Sequence, residues 1–196
     1  MTPPRIPSVL YWGKLPVPFV AAWSSEETIH VAPDPVAGGR PALFRGGTRG
    51  LGTPIFGKMD ESRVRRVVLR RRCQICAGPL GGAGYVIDTI KGAVGASPLL
   101  GEPLSCLRCF RVAIALCPGI ARLRGGPRAI VVRCTNYQPV IATVTVYEGE
   151  GCDPVLNAAL RAWKGVAPIG YAKYAPSEYD VLPMAWLDSA EARGSA

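Results

Sequence analysis

Two Cys-x-x-Cys pairs, Cys73-Gln-Ile-Cys76 and Cys106-Leu-Arg-Cys109, stand 29 residues apart in a chain of 196, and no other pattern in it constrains the fold as tightly. Zinc asks for four soft ligands at tetrahedral corners. One Cys-x-x-Cys turn supplies two of them, and a second pair at a helix N-terminus supplies the others where the helix dipole favours thiolate. The spacing predicts a four-cysteine zinc site of Cys73, Cys76, Cys106 and Cys109, with a hairpin and an extended loop between the pairs. Metal binding would add folding free energy to a stretch too rich in glycine to fold alone. The competing reading is ordinary free or core cysteines, and the doubled spacing argues against it.

Three cysteines remain. Cys117 lies two helical turns beyond Cys109, about 12 Å along the axis, too far to share the ion. Cys134 and Cys152 are isolated and read as buried apolar thiols. An iron–sulfur set of Cys106, Cys109 and Cys117 is the alternative grouping. An odd number of cysteines in two tight pairs fits a reducing compartment better than a disulfide framework. With no apolar core in the first residues and no apolar run long enough to cross a bilayer, the expectation is a cytoplasmic protein that does not engage membranes.

Charge is unevenly placed. Residues 1–44 balance, residues 45–72 carry nine basic against two acidic side chains, residues 73–134 seven against two, and residues 135–196 four against seven. The basic surplus therefore sits in and just before the cysteine module, which suggests an anionic partner, either nucleic acid or an acidic protein surface. An Arg-rich composition that merely favours solubility is the bland alternative.

The local patterns give short elements. Residues 8–23 read as two extended segments held at edges or bulges by Pro16 and Pro18, and residues 28–31 as a short strand. Residues 32–58, punctuated by Pro and Gly, read as a long irregular segment. Arg40, Arg45 and Arg49 sit there among glycines, where backbone amides can approach a phosphate. The run Gly46-Gly-Thr-Arg-Gly-Leu-Gly52 lacks the ending of a P-loop and reads as a surface loop. Residues 60–72 predict a short amphipathic helix capped by Asp60 or Ser62, with Val64, Val67 and Val68 inward and Arg63, Arg66 and Arg70 on one solvated face. Residues 85–90 predict a strand, and residues 106–116 a helix ended by Pro118-Gly119. Residues 128–133 and 140–147 predict an antiparallel pair turned at Asn136-Tyr-Gln-Pro139. A helix follows from Asp153-Pro154 to about Lys164, then a tail of scattered aromatics with a frayed end at residues 188–196. Apart from the doubled cysteine pair there is no internal repeat.

Two resemblances follow from these residues. The cysteine knuckle, residues 85–90 and Leu104-Ser-Cys-Leu-Arg-Cys109 resemble the treble-clef frame of HNH endonucleases, whose structural zinc cysteines bracket a strand ending in Asp-His. Here Thr89 follows Asp88 in place of that histidine, so the resemblance implies the zinc frame without the general base. The wider pattern is carried by residues 17–26, by Phe56-Gly-Lys58 before the basic helix, by Arg72-Cys-Gln-Ile-Cys-Ala-Gly78, and by Cys106 to Pro118. It resembles a group of proteins from actinobacteria and their phages with no assigned activity, and implies relatedness alone.

The expected fold is α+β, a zinc-stabilised treble-clef-like module in a small β-rich domain with short helices. Residues 1–58 would form an irregular β-rich segment, 59–120 the basic helix and zinc-finger module, and 121–196 a hairpin and helix packed on the same domain. The function expected is a non-enzymatic zinc protein that binds nucleic acid through Arg45, Arg49, Arg63, Arg66, Arg70 and Arg71. The alternatives are a phage-type module that binds and modulates a host protein or assembly, and an HNH-like nuclease with a non-standard site. The last would need His30, the one histidine, to fold against an acid such as Asp88.

Overall fold

The computed structural model of the chain describes residues 6–88, 99–123, 130–147, 149, 154–163 and 166–189. In chain order the first strands are β1 (Leu10–Trp12), β2 (Leu15–Val17), β3 (Ala21–Trp23), β4 (Ile29–Asp34), β5 (Arg40–Arg45) and β6 (Pro54–Met59). Helix α1 (Glu61–Leu69), strand β7 (Gly84–Asp88), and helices α2 (Leu107–Leu116) and α3 (Pro118–Leu123) come next. Strand β8 (Ile130–Tyr147), helix α4 (Pro154–Ala162) and strand β9 (Val166–Pro183) complete the order, before a 3-10 turn at Met184–Asp188. The sequence is therefore α+β and rich in sheet. No helix among the described residues is long and apolar enough to cross a membrane.

Strands β1–β2, β3–β6 and β4–β5 form antiparallel pairs, and β7, β8 and β9 form a three-stranded sheet in that order. Residues 32–58 are thus more regular than their prolines and glycines suggest. Asp34 turns the β4–β5 hairpin by accepting the Val36 amide at 2.9 Å, and Gly38 and Gly39 follow at φ 70° and 78°, where a side chain would be strained. The punctuation marks a hairpin turn.

The Gly46–Gly52 run is likewise a fitted loop. A Cβ on Gly46, Gly47 or Gly52 would run into Thr28, the Ser25 carbonyl or Ser24 respectively. Ser24 and Thr53 exchange hydrogen bonds of 2.9 Å, and Ser25 Oγ donates to the Thr48 carbonyl at 2.9 Å. These contacts sew the loop to the turn after β3.

The expected turn at residues 136–139 does not form. Strand β8 runs unbroken for 18 residues beside β9, and irregularities around Cys134, Asn136 and Tyr137 absorb the mismatch. Pro139 is tolerated because β7 pairs with residues 130–134, so that among the described residues no ladder runs along that side of β8 at Pro139. Tyr137 is buried and meets Tyr174 edge-on, with ring centroids 5.1 Å apart, which anchors the extended conformation. Most of the tail of scattered aromatics is β9, with Trp186 in the 3-10 turn that follows it. The strand's inward alternation, Ala172, Tyr174 and Pro176, is hidden by two residues that carry little strand signal.

The other elements lie near their expected places. Helix α4 begins at Pro154, with Asp153 outside the described residues, as are Thr89, Ile90, Cys152 and residues 190–196. Leu160 of α4 packs with Leu43, Ile29 and Val31 against the β4–β5 hairpin. The main core joins Val20, Val67, Val68, Val86, Leu104, Val132, Tyr137 and Tyr174 with Cys73 and Cys109. Residues from the beginning, middle and end of the chain meet there, and two of the four paired cysteines belong to it.

Candidate metal centre

The first pair forms in a tight turn. The Cys73 amide donates to Gly78 O at 2.8 Å and the Ala77 amide to Cys73 O at 2.9 Å, while Ala77 takes φ 56° to let the chain reverse. The amides of Ile75 and Gly78 point at Cys73 Sγ and Cys76 Sγ, each at 3.4 Å, an arrangement that favours sulfur in its thiolate form. The second pair straddles the start of α2. Cys106 is its N-cap residue in extended conformation and Cys109 lies in the first turn, so both sulfurs sit at the positive end of the helix.

Backbone pairing brings the two pairs together. Tyr85 and Ser105 exchange hydrogen bonds of 2.8 Å, and the Gln74 amide donates to Leu104 O at 2.9 Å. Gln74 Nε2 donates to Pro103 O at 2.6 Å. Gly84 is required because a Cβ there would press on the Leu104 side chain.

The result is a cluster of four sulfurs, Cys73, Cys76, Cys106 and Cys109, all within 4.8 Å of one another. Among the described residues it is the one group of three or more His, Cys, Asp or Glu side chains with ligand geometry. A tetrahedron with Zn–S bonds of about 2.3 Å separates its sulfurs by about 3.8 Å, so a small contraction would seat an ion. Cys73 and Cys109 are buried, whereas Cys76 and Cys106 are half-buried. Hydrogen bonds among the four side chains lower the Cys76 and Cys106 thiols and raise those of Cys73 and Cys109. The arrangement is one that binds a metal and closes its coordination with protein ligands, as structural sites do.

Cys117 caps the C-terminus of α2 and stands outside the cluster, as its spacing implies, so the Cys106, Cys109 and Cys117 grouping is not formed. Cys134 is fully buried in the main core, and burial pushes its thiol up to about 11. His30 lies on β4 and stacks on Phe44 at 5.5 Å. Asp88 ends β7 in a different sheet and accepts the Gly101 amide at 3.2 Å.

The arginines divide into two sets. Helical spacing places Arg63 on a solvated face with Arg66 and Arg70, but it turns inward. It is 8% exposed and grips the buried Glu26 carboxylate while donating to Ala21 O at 2.7 Å. Arg65 is 1% exposed, with Nε on Asp34 at 2.5 Å, Nη2 on Leu43 O at 2.9 Å, and its plane over Phe44. Arg45 makes a two-pronged contact with Glu61, both distances 3.1 Å. Arg49 lies over the Phe19 ring at 4.9 Å, its Nε and Nη2 buried and without hydrogen-bond partners among the described residues. By contrast Arg66, Arg70, Arg71 and Arg72 are exposed.

The inward arginines were not readable from helical spacing because α1 is covered on most of its circumference. Arg63 and Val67 share one covered stripe, and Val64, Arg65 and Val68 another. The available signal was the acids: Glu26 and Asp34, two of only three in residues 1–44, each bury and each needs a cation.

No protein-family model, curated protein or solved structure matches the chain.

Proposed function

We propose that the chain is a non-enzymatic zinc protein whose treble-clef-like module presents a basic face to nucleic acid. Four thiolates in a closed, redox-neutral setting are the donor set of structural zinc. The order of knuckle, paired strand and helix whose first turn brings the last two ligands is that of a treble clef.

The observation that carries the nucleic-acid reading is the sorting of charge around α1. Glu26, Asp34, Asp60 and Glu61 are each held by an arginine, a cap or both, and Arg45, Arg63 and Arg65 are the cations facing them. On α1 and the turn that follows it the exposed charges are basic: Arg66 and, one turn on, the C-cap Arg70, then Arg71 and Arg72 running into Cys73. Arg72 Nη1 donates to Ala77 O at 3.0 Å, so it folds over the knuckle itself. Arg71 adds a second point. The end of α1 is a Schellman motif, with Arg71 N on Val68 O at 3.0 Å and Arg72 N on Val67 O at 2.7 Å. Arg71 occupies its left-handed position at φ 49°, where glycine is preferred. Strain of that kind is commonly kept for a side chain with a task.

The contact set is therefore Arg66, Arg70, Arg71 and Arg72, with Arg49 beside it. Phe19, on which Arg49 lies, donates its amide to Ile75 O of the knuckle at 3.0 Å. The test is fluorescence anisotropy of zinc-loaded protein with single-stranded DNA, duplex DNA and RNA across a salt series. Affinity should fall steeply with salt, and Arg66→Ser/Arg70→Ser should lower the slope by roughly 0.7–0.9 per lost phosphate contact. Absence of binding at low salt would remove the reading.

A second reading, a protein-interaction module, is favoured by the exposed Trp12, Leu51 and Phe56, large apolar side chains of the kind that anchor interfaces. A partner recovered by pull-down after nuclease treatment supports it, and loss of every partner on that treatment counts against it.

A further inference from the structure

A cavity of about 450 Å³ lies beside α1, walled by β6, the loop at residues 100–103 and β9. Its size falls within the range of small-molecule sites, and it is separate from the cysteine cluster and from the exposed arginines of α1. Four cations line it: Arg45, Lys58, Arg65 and Lys173. Two carboxylates, Glu61 and Glu102, stand against them.

The cations differ in what they already hold. Arg45 is neutralised by Glu61, and Arg65 by Asp34. Lys173 Nζ donates to Gly101 O at 2.6 Å, a neutral acceptor, and Lys58 is exposed on β6. Among the described residues neither lysine forms an ion pair. Glu102, the remaining carboxylate of the lining, is acted on by the Lys173 charge, so once Arg45 is set against Glu61, Arg65 against Asp34 and Lys173 against Glu102, the lining keeps one positive charge in excess, that of Lys58. Arg65, also on the lining and almost fully buried, has Nη1 without a hydrogen-bond partner among the described residues. The rest of the wall is apolar, with Met59, Val64, Val68, Leu100, Tyr171 and Tyr174.

Two lysines from different strands on a wall that is otherwise largely apolar suit a molecule with one charged end and an apolar body. From this we infer that the cavity binds a small organic anion, a carboxylate or phosphate group carried on an aromatic or other apolar body, with Lys58 and Lys173 meeting the charged end. The proposal stands independently of nucleic-acid binding, because none of the exposed α1 arginines lines the cavity.

The experiment titrates the metal-loaded full chain with phenyl phosphate and with benzoate and follows amide chemical shifts by NMR. Inorganic phosphate and benzyl alcohol serve as the charge alone and the body alone. The expected result is saturable binding of phenyl phosphate, benzoate or both, with shifts centred on Gly57, Gly101 and Ala172. The stronger of the two tells phosphate from carboxylate as the preferred end. Inorganic phosphate and benzyl alcohol should each bind at least about tenfold more weakly, and Lys58→Met, an exposed substitution with no partner to lose, should weaken binding by about tenfold. The inference is overturned by no saturation up to about 10 mM, by shifts confined to Arg66–Arg72, by equal binding of benzyl alcohol, or by an unchanged affinity in Lys58→Met.

Discussion

Arg63 and Glu26, 37 residues apart in sequence, form a buried two-pronged ion pair at 2.5 and 2.7 Å that fastens α1 to the turn after β3. Burial alone would raise the Glu26 carboxyl. The hydrogen bonds from Arg63 and the Trp23 amide, with the Arg63 and Arg45 charges, outweigh it and hold the group below its ordinary value. A carboxyl lowered in the fold contributes stability above its unfolded pKa, roughly 4.3, and loses that contribution as pH falls through the folded value. Glu26→Gln should therefore destabilise the protein by about 3–5 kcal/mol near neutral pH, since Arg63 is left buried without a counter-charge. The same variant should show a shallower loss of stability under acid. Urea denaturation at a series of pH values measures both, and an unchanged acid slope would contradict the pairing.

Arg65 and Asp34 give a second test. Lysine cannot reproduce a guanidinium that bonds Asp34 and Leu43 O while stacking on Phe44, so Arg65→Lys should cost roughly 2–4 kcal/mol. In a double-mutant cycle, Arg65→Met with Asp34→Asn should lose less than the sum of the single changes, with a coupling of roughly 0.5–3 kcal/mol. Strict additivity would mean that the two side chains do not interact.

The glycine loop can be probed by comparison. Gly47 and Gly57 both have positive φ, 111° and 89°, but a Cβ on Gly47 would meet the Ser25 carbonyl whereas one on Gly57 has open space. Gly57→Ala should cost about 1 kcal/mol from backbone strain alone, and Gly47→Ala distinctly more, about 2–3 kcal/mol. Equal losses in thermal denaturation would show the loop to be loosely placed.

Arg71 separates stability from binding. Arg71→Gly relieves the left-handed strain, a gain of about 0.5–1 kcal/mol, and loses a cation–π contact with Tyr137 of similar size. Stability should stay within about 1 kcal/mol of the parent protein while nucleic-acid affinity falls. A variant with unchanged affinity would remove Arg71 from the contact set.

Much of this structure was legible wherever the signal is local. The paired cysteines, the Asp60 cap and the helix beginning at Cys106 are written within a few residues. The long β8–β9 pairing is not, because the partners of Val131 and Tyr137 lie at Leu182 and Pro176, across an inserted helix. Pro139 inside β8, and Ala172 and Pro176 on the inward side of β9, mute the alternation that would announce a strand. The inward arginines are illegible for a related reason: Glu26 and Asp34 lie 37 and 31 residues before them, beyond the reach of helical spacing, by which the charge run reads as solvated.

A metal held by Cys73, Cys76, Cys106 and Cys109, as proposed, would fasten the fold at its core. Because Cys73 and Cys109 belong to the main core, chelation should abolish the cooperative thermal transition as well as loosening the loop between the pairs. The most direct measurement is metal content by elemental analysis combined with X-ray absorption at the zinc edge on the protein as purified. One zinc per chain with four sulfur scatterers at about 2.3 Å is the result predicted. A chain that folds stably without stoichiometric metal, or a shell containing nitrogen or oxygen in place of sulfur, would contradict it.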